Sequence, residues 1–375
     1  MSNYFKPMAI ILGLLLIFPG IFSCGGGSSK KSDQAFKLDV IIENYLEQNN
    51  IPSAEVLVTR NGQTEYHRAF GFSDLFLGDL RQTDQPFRIA SISKTFTALR
   101  ILQMHDETLV DLDDPVSGFF PDFPNSDIIT IRHLLNMNAG IPDFADHRFL
   151  EEWHDDPFME FSMEKAVEMS AEKADFFKNP GQEVIYSNIN YTLLGLIIEQ
   201  ASNNSVQNEF NDNIFSELNL ESTLYTSNTF LPGRLRGYSW DSTREIFIDI
   251  TDLNPVVPNT GGAVISTMSD LRIFGEALYK GTLLSQETHW EQMKALSFSE
   301  GPEWIRYGLG ILDMGGFWGH NGTIFGFSSE MYYFPPEDAM IIINVNRSDK
   351  DDKSHSFALF NEVSKLLFPD DVKWN

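Results

Sequence analysis

The sequence contains one cysteine, Cys24, among 375 residues, which excludes an internal disulfide. It also has no His-Glu-x-x-His segment and no cluster of cysteines and histidines, so a metal site has no support. A Gly-x-Ser-x-Gly elbow, a phosphate-binding loop and a Gly-x-Gly-x-x-Gly motif after a strand are missing as well. No cofactor is therefore expected.

Basic residues are scarce: 27 Lys and Arg stand against 53 Asp and Glu, which gives a formal net charge of −26. The acidic residues are scattered along the chain and do not form a tail. Such a surface repels nucleic acid, so no nucleic-acid partner is expected, and the acidity is interpreted as solubilising. The hydrophobic content of 42% is enough to bury a large core in one big domain or two closely packed ones.

The N-terminus has the only long apolar run, "MAIILGLLLIFPGIF". It is short for a transmembrane helix and is broken by Pro and Gly, so it predicts a cleaved export signal over residues 1–23. Cys24 follows Ser23 directly, and this arrangement resembles a bacterial lipoprotein signal, in which the cysteine becomes the lipidated first residue. The alternative is an ordinary secretory signal with an incidental cysteine. Residues 24–33 are rich in Gly and Ser and indicate a flexible tether.

The remainder of the chain has strand-like segments near both ends. Residues 34–49 predict a helix with an apolar face formed by Phe36, Val40, Ile41 and Tyr45. The next two strand-like runs meet at Asn61-Gly62, a strong hairpin signal. Helical patterns dominate from roughly 92 to 300, and strand-like runs return before a last helical segment, "SHSFALFNEVSKLLF".

This order predicts an α+β fold in which both termini form one antiparallel sheet, flanked by helices, with a large inserted helical region. We place the domain at residues 34–369, with the sheet part at about 34–75 and 301–369 and the helical part at about 76–300. A cleft between the two parts is where such an architecture would bind a ligand.

Serine and lysine three residues apart occur four times, at Ser28/Lys31, Ser91/Lys94, Ser162/Lys165 and Ser170/Lys173. The first pair falls in the tether. The last two lie in "FSMEKAVEMSAEKADFF", a charged amphipathic helix whose lysines are expected to be solvated and paired with glutamates. The pattern alone therefore does not identify a catalytic pair.

Ser91/Lys94 differs because it opens an apolar helix. The helical positions that follow are Ile92, Phe96, Leu99 and Leu102 or Gln103. One helical turn carries Lys94 back over the face of Ser91. The helix N-terminus favours an oxyanion, and burial would push the lysine toward its neutral form, which can accept the serine proton.

The wider sequence resembles the serine beta-lactamase-like superfamily, in the branch of class C beta-lactamases, Streptomyces-type D-alanyl-D-alanine carboxypeptidases and related esterases. The segments "FRIASISKTFTALRILQ", "PGQEVIYSNINYTLLGLIIE" and "GLGILDMGGFWGHNGTIFGFSS" carry the resemblance in the order of that branch, within about residues 34 to 367. The resemblance implies three motifs: Ser91/Lys94, Tyr186-Ser187-Asn188 and His320-Asn321-Gly322.

The resemblance also implies roles in a two-step acyl-enzyme mechanism. Ser91 would be acylated, and Lys94 and Tyr186 would share proton handling, Tyr186 first protonating the leaving group and later activating water. Because a free tyrosine has a pKa near 10, Tyr186 needs cationic neighbours, for which Lys94 and a protonated His320 are candidates. Asn188 would hydrogen-bond a substrate amide and help to hold Lys94.

The strand after the third motif would complete the site. The backbone N–H groups of Ser91 and Thr323 would form the oxyanion hole. Gly322 would let the substrate approach the strand closely.

Two departures from the family pattern bear on the substrate. Met137 to Gly140, "MNAG", replace a His-Thr-Ser-Gly stretch, which affects local packing more than mechanism. His320 replaces the lysine of true beta-lactamases, as in carboxypeptidase and esterase relatives. Asn321 replaces a threonine that often binds the terminal carboxylate in carboxypeptidases, a role open to Thr323 or Arg306.

The sequence thus predicts an exported bacterial serine hydrolase, anchored to the cell envelope through a lipid on Cys24. Its substrate would be a small molecule or peptide; D-amino-acid peptides, beta-lactams and small esters are all compatible, and His320 favours a peptidase or esterase over an efficient beta-lactamase. The alternative is a non-catalytic penicillin-binding or scaffold lipoprotein of the same fold.

Overall fold

The computed structural model describes residues 28–348, 354–372 and 374. The predicted signal peptide and Cys24 lie outside this range. The α-helices are α1 Ser28–Gln48, α2 Ser93–Asp106, α3 Ile131–Leu135, α4 His147–Asp155, α5 Met163–Ala171, α6 Ile189–Ser202, α7 Val206–Phe210, α8 Met268–Lys280, α9 Gln286–Gln292 and α10 His355–Leu367. Within the described range no helix combines the length and the apolar character needed to cross a membrane.

The strands are shorter and more numerous. They are β1 Ser53–Arg60, β2 Gln63–Asp74, β3 Asp79–Leu80, β4 Phe87–Arg88, β5 Leu224–Tyr225, β6 Tyr238–Asp241, β7 Ile246–Asp249, β8 Val264–Ser266, β9 Leu296–Ser297, β10 Ile305–Tyr307, β11 Leu312–Met314, β12 Phe317–Ile324, β13 Phe327–Phe334 and β14 Ala339–Val345.

One nine-stranded sheet joins the two ends of the chain. Its order is β3-β2-β1-β14-β13-β12-β11-β10-β9, and every neighbouring pair is antiparallel. An interior contact of this sheet pairs the first strand with the last, Ala54 opposite Val345 and Arg60 opposite Ala339. The predicted α+β fold, with an antiparallel sheet formed by both termini, is confirmed.

Local sequence explains the first hairpin. Asn61 and Gly62 both adopt positive φ, at 51° and 69°, the conformation that a two-residue type I′ turn requires. Arg60 therefore pairs with Gln63, and β2 returns antiparallel beside β1. The predicted hairpin is confirmed.

The helix α1 forms, but it begins at Ser28 and therefore includes residues 28–33 of the predicted tether. Its predicted apolar face is only partly right, because Ile41 and Tyr45 are partly buried against the core and Phe36 and Val40 are not. Its buried side chains are Leu38, Ile42 and Leu46, four residues apart, whereas Phe36 is 64% exposed and Val40 39% exposed. Apolar residues run most of the way round this helix, so several faces fit the sequence equally well. The sheet and α10 select the Leu38 stripe, and Asp39 beside it accepts a hydrogen bond from Tyr66 of β2.

Helices cover both faces of the sheet. The two terminal helices, α1 and α10, contact each other, and α10 packs on β13 and β14. The helix α8 packs on the same two strands from the opposite face. It contacts Met331 and Met340, whereas α10 contacts Ser328 and Tyr332. Because side chains alternate along a strand, these two pairs lie on opposite faces of the sheet.

The inserted region is helical around α2, whose residues Ser93 to Met104 are all buried. It also contains strands that the sequence analysis did not predict, a small sheet of order β4-β8-β5 and the hairpin β6-β7. These strands have two to four residues each, too few to produce a readable alternation of apolar and polar residues. The region lies against the end of β12, where the short 3₁₀ turn Ala90–Ile92 contacts that strand.

Candidate active site

Ser91 lies in the 3₁₀ turn that leads into α2. The preceding residue, Ala90, has φ of +49°, in the left-handed region where a residue with a Cβ is strained. The turn presses against β12 so closely that a Cβ on Gly322 would stand 2.1 Å from the carbonyl oxygen of Ile89 and 3.0 Å from the nitrogen of Ser91. Gly322 is therefore required by the turn that carries Ser91, a constraint that the sequence analysis attributed to the substrate.

Lys94 is fully buried and its ammonium has three acceptors. Its Nζ lies 3.0 Å from Oγ of Ser91, 2.9 Å from Oδ1 of Asn188 and 3.0 Å from the carbonyl oxygen of Gly261. Burial lowers the pKa of Lys94 to about 7, and the negative charge of Asp143 opposes this shift. Near neutral pH, a substantial fraction of Lys94 is thus an uncharged amine, which can accept a proton from Ser91.

Asn188 holds Lys94 from the start of α6, and Asp143 fixes the orientation of its amide. Oδ2 of Asp143 accepts hydrogen bonds from the backbone nitrogen of Asn188 at 2.9 Å and from its Nδ2 at 2.7 Å. The amide oxygen is thereby directed at Lys94. Asp143 was not predicted from the sequence, because nothing in the pattern around it marks a contact with a residue of the second motif.

Tyr186 lies beside the same lysine. Nζ of Lys94 is 5.0 Å from the centre of the Tyr186 ring. Desolvation raises the pKa of Tyr186 above its usual value, although a hydrogen bond with Ser91 works in the opposite direction. Because 36% of the residue is exposed, solvent moderates this shift. The hydroxyl remains protonated at neutral pH, which suits a proton donor.

His320 is buried and uncharged. Burial and the nearby charge of Lys94 lower the pKa of its imidazole to about 3. Nδ1 lies 2.5 Å from the carbonyl oxygen of Asn321, and a carbonyl only accepts, so Nδ1 carries the proton. Nε2 then accepts the hydrogen bond from the Tyr307 hydroxyl, 3.1 Å away. His320 therefore does not supply the positive charge that was considered for it.

Two cavities meet at Ser91. The larger, about 470 Å³, also contacts Tyr186 and Thr323 and has a mostly apolar wall, formed by Phe298, Trp304, Ile305, Leu312, Met314, Tyr332 and Phe357. The smaller, about 110 Å³, lies toward α4 and is lined by apolar side chains that include Phe144, Phe149 and Trp153. A substrate bound at Ser91 can therefore place one apolar group in each cavity.

The structure brings together the residues predicted for the catalytic and substrate-binding site with two exceptions: His320, which is buried beside Tyr186 and lines neither cavity at Ser91, and the carboxylate-binding candidate Arg306. Ser91, Asn188 and Tyr186 each contact Lys94, and Gly322 abuts the turn of Ser91. Arg306 instead pairs with Asp313 at 2.9 Å and does not line either cavity at Ser91, so Thr323 remains the candidate carboxylate ligand.

The Met137 to Gly140 stretch packs against the second motif, Tyr186-Ser187-Asn188. Met137 adopts a positive φ of 59°, its carbonyl oxygen accepts from the nitrogen of Ile185 at 2.9 Å, and its sulfur lies 3.5 Å from the nitrogen of Ser187. This agrees with the packing role expected for the stretch.

Two other Ser-x-x-Lys pairs are structural. Oγ of Ser162 caps α5 by accepting from the nitrogen of Lys165 at 3.1 Å, and Lys165 pairs with Glu168. Lys173 pairs with an aspartate, Asp146, at 2.9 Å, and not with a glutamate as expected.

A second polar cluster is formed by β1, β2 and the turn between β3 and β4. Glu55, His67 and Asp84 bring three potential metal-ligand atoms within 4.8 Å of one another. The buried Arg81 already pairs with Glu55 at 3.2 Å, and Asp84 accepts from Ser269 at 2.9 Å. These groups therefore have partners within the protein, and the cluster is interpreted as a buried ion pair.

Comparison with known proteins places this geometry in a family. The beta-lactamase family matches residues 38–362. "Penicillin-binding protein 4*" of Bacillus subtilis is 28% identical over 354 residues, which cover 90% of this chain and 77% of that protein.

Solved structures agree. A D-stereospecific amidohydrolase from Streptomyces sp. has a TM-score of 0.76 and 26% identity, with 88% of this chain and 98% of that chain covered. The D-amino acid amidase from Ochrobactrum anthropi SV3 has a TM-score of 0.79 and 25% identity, with coverage of 89% and 97%. The chain belongs to the beta-lactamase family, and its similarity to amide-cleaving members supports a hydrolase.

Proposed function

We propose that the protein is a serine hydrolase that cleaves amides or esters through an acyl-enzyme on Ser91. The observation that carries this proposal is the buried Lys94, with Nζ at 3.0 Å from Oγ of Ser91 and a pKa lowered to about 7. A lysine that is uncharged at neutral pH and already in hydrogen-bond contact with a serine is suited to act as the general base.

Acylation begins when Oγ of Ser91 attacks the substrate carbonyl carbon and its proton passes to Lys94. The backbone N–H groups of Ser91 and Thr323 would hold the oxyanion. When the tetrahedral intermediate collapses, the bond to the leaving group breaks, and that group takes a proton from Tyr186, which regains one from Lys94. The products are the acyl-enzyme and a free amine or alcohol.

Deacylation repeats these steps with water. The raised pKa of Tyr186 makes its phenolate scarce, so we assign activation of the water to Lys94 and keep Tyr186 as the proton donor. Water attacks the acyl carbon, its proton passes to Lys94, and Ser91 leaves with a proton returned to Oγ. The acid product is then released.

We propose amides and peptides of D-amino acids as the preferred substrates. The amidohydrolase and the amidase among the relatives are named for D-configured substrates, and the two apolar cavities suit an acyl group with a large side chain. Beta-lactams and small esters remain in the proposed range, and a slowly turned-over beta-lactam would give penicillin-binding behaviour.

Intact-mass spectrometry after mixing with benzylpenicillin tests the proposal, beside cleavage of D- and L-phenylalanine amide and of a 4-nitrophenyl ester. The control is Ser162→Ala, which alters the serine of another Ser-x-x-Lys pair. We expect an adduct on the wild type and on Ser162→Ala, none on Ser91→Ala, and faster cleavage of the D-amide. An adduct that decays within seconds would indicate a beta-lactamase; no adduct and no cleavage would favour the non-catalytic scaffold.

We propose further that the protein is exported and held at the bacterial cell envelope by a lipid on Cys24. The support is the apolar N-terminal run directly before the cysteine and the Gly- and Ser-rich segment after it. Palmitate labelling of the wild type and of Cys24→Ala tests the anchor. Loss of the label in Cys24→Ala is expected, and equal labelling would contradict the proposal.

A further inference from the structure

A buried carboxyl group lies at the wall of the larger cavity, where no function has been assigned to it. Glu330 on β13 is 0% exposed and lines the same cavity as Ser91. Its Oε1 accepts from Oγ of Ser356 at 2.8 Å and is 3.5 Å from Oγ of Ser354. Its Oε2 has no hydrogen-bond partner among the described residues, an expensive condition for a buried oxygen.

The sheet explains how this carboxyl group and the nucleophile share one cavity. Glu330 lies opposite Asn321, and His320 lies opposite Met331, so Glu330 and Asn321 are on the α10 face and His320 is on the other face. The strand β11 pairs with β12 only as far as Gly319. Beyond that point the edge of β12 is not paired with β11, and the cavity is lined there by Asn321, Gly322 and Thr323 as well as by Ser91 and Glu330.

The surroundings of Glu330 supply hydrogen bonds to its carboxyl group, but burial disfavours the charged form. Ser354 caps α10, and a helix N-terminus stabilises an anion. No Lys, Arg or His among the described residues lines the cavity. Burial raises the pKa of Glu330 to about 8, while the hydrogen bonds from Ser356 and Ser354 lower it. A ligand cation would complete the site.

We propose that Glu330 binds a primary ammonium group carried at the end of an apolar arm of the substrate. The apolar cavity wall would hold the arm, and the free Oε2 would accept a hydrogen bond from the ammonium. The proposal rests on the proposed function only for the statement that the ligand is a substrate; the binding itself does not depend on the chemistry at Ser91.

Calorimetric binding of hexylammonium and of hexan-1-ol tests it, because the two probes share the chain and differ in the charged end. The proteins are the wild type, Glu330→Gln and Glu337→Gln, which removes the same charge from a side chain that is 43% exposed. We expect hexylammonium to bind at least tenfold more weakly to Glu330→Gln than to the other two proteins. Hexan-1-ol should bind all three within twofold.

Two results would overturn the proposal. One is equal affinity for hexylammonium in the wild type and in Glu330→Gln. The other is equal affinity of the wild type for hexylammonium and hexan-1-ol. This second result needs only the wild type, so it decides the matter if Glu330→Gln does not fold. Thermal unfolding shows whether the variant folds.

A kinetic experiment separates this proposal from the proposed function. The substrates are 4-nitrophenyl esters of 6-aminohexanoate and heptanoate, which differ only at the end of the acyl chain. Glu330→Gln should raise KM for the amino ester at least tenfold, with kcat changed less than threefold and the heptanoate ester unaffected. If the wild type and Glu330→Gln have equal KM values for the amino ester while cleavage still depends on Ser91, the role of Glu330 is refuted and the proposed function stands. No Ser91-dependent cleavage would refute the proposed function and leave the calorimetry to decide on Glu330.

Discussion

At the scale of single residues, burial and a nearby carboxylate shift the pKa of Lys94 in opposite directions. Burial disfavours the ammonium form. The carboxylate of Asp143, which is hydrogen-bonded to the Asn188 side chain that contacts Lys94, favours it. The balance leaves the pKa at about 7. The lysine can therefore act as a base near neutral pH. Because Asp143 raises the pKa, its charge limits the fraction of Lys94 that is uncharged at lower pH.

Replacing Asp143 with Asn should move the pH profile. The substitution removes the charge that raises the pKa of Lys94, so the pKa should fall below about 7 and the acid limb of benzylpenicillin acylation should shift to lower pH. Rates measured from pH 4.5 to 9 on the variant and on Asp156→Asn, an exposed aspartate, check this. An acid limb that is unchanged, or shifted to higher pH, would contradict the assigned base.

The same lysine makes stability depend on pH. Its pKa is lower in the folded protein than the ordinary 10.5, so between these values the unfolded chain binds more protons and stability rises as pH rises. Lys94→Met should remove this contribution. The unfolding free energy of the variant should therefore rise less between pH 7 and 10 than that of the wild type. Urea unfolding at both pH values measures the difference, and parallel profiles would show that Lys94 is not desolvated.

Tyr186→Phe should separate two leaving groups. The ring beside Lys94 is kept and only the proton donor is lost, so cleavage of D-phenylalanine amide should fall roughly 10²- to 10⁴-fold. The 4-nitrophenyl ester should lose much less, because 4-nitrophenolate leaves without a proton. Steady-state kcat on both substrates gives the comparison; equal losses would assign Tyr186 to another step.

The sequence identified the residues of this site whose contacts are local or part of an ordered family motif. Ser91 and Lys94 are one helical turn apart, so their contact follows from the helix itself. Asp143 and Glu330 could not be found in this way. Each meets its partners only after distant segments pack, and neither is marked by spacing or composition.

At the scale of elements, the contact between the 3₁₀ turn and β12 fixes the nucleophile. Gly322→Ala would place a Cβ 2.1 Å from the carbonyl oxygen of Ile89, so the strand and the turn must separate. We expect the unfolding free energy to fall by about 1–3 kcal/mol and benzylpenicillin acylation to be lost. Gly118→Ala is the control, since its new Cβ would meet nothing within 4 Å; equal behaviour of the two variants would disprove the constraint.

The corrected face of α1 leads to a second comparison. Ile42→Ala removes a fully buried side chain and should cost about 2–5 kcal/mol of unfolding free energy. Phe36→Ala, at a residue that is 64% exposed, should change it by less than about 0.5 kcal/mol. Urea unfolding of both variants measures this, and a larger loss for Phe36→Ala would restore the face expected from the sequence.

These two elements show what a sequence can predict about secondary structure. The Asn61-Gly62 hairpin depends on the φ values that two adjacent residues tolerate, so it was predictable from them alone. The helix α1 was predictable as a helix, but its buried face depends on what the sheet and α10 present to it. That information is not local, and an almost continuous ring of apolar residues cannot supply it.

At the scale of the whole molecule, the antiparallel sheet depends on the interior strand β14. Because β14 lies between β1 and β13, a chain stopped after Asp338 would leave β1 paired only with β2 and β13 paired only with β12, and the sheet would be divided. We expect such a chain to lose cooperative thermal unfolding, followed by circular dichroism. Leu296→Lys on the edge strand β9, at a residue that is 40% exposed, should unfold cooperatively; a cooperative transition in the shortened chain would contradict this dependence.

The pairing of Ala54 with Val345 also determines when the protein can fold during synthesis. The hairpin of β1 and β2 is synthesised long before its partner strand β14. Until β14 is made, the edge of β1 has open hydrogen-bonding groups, which can pair with other chains. Such distant pairing slows folding, and the sheet closes only after β14 has emerged.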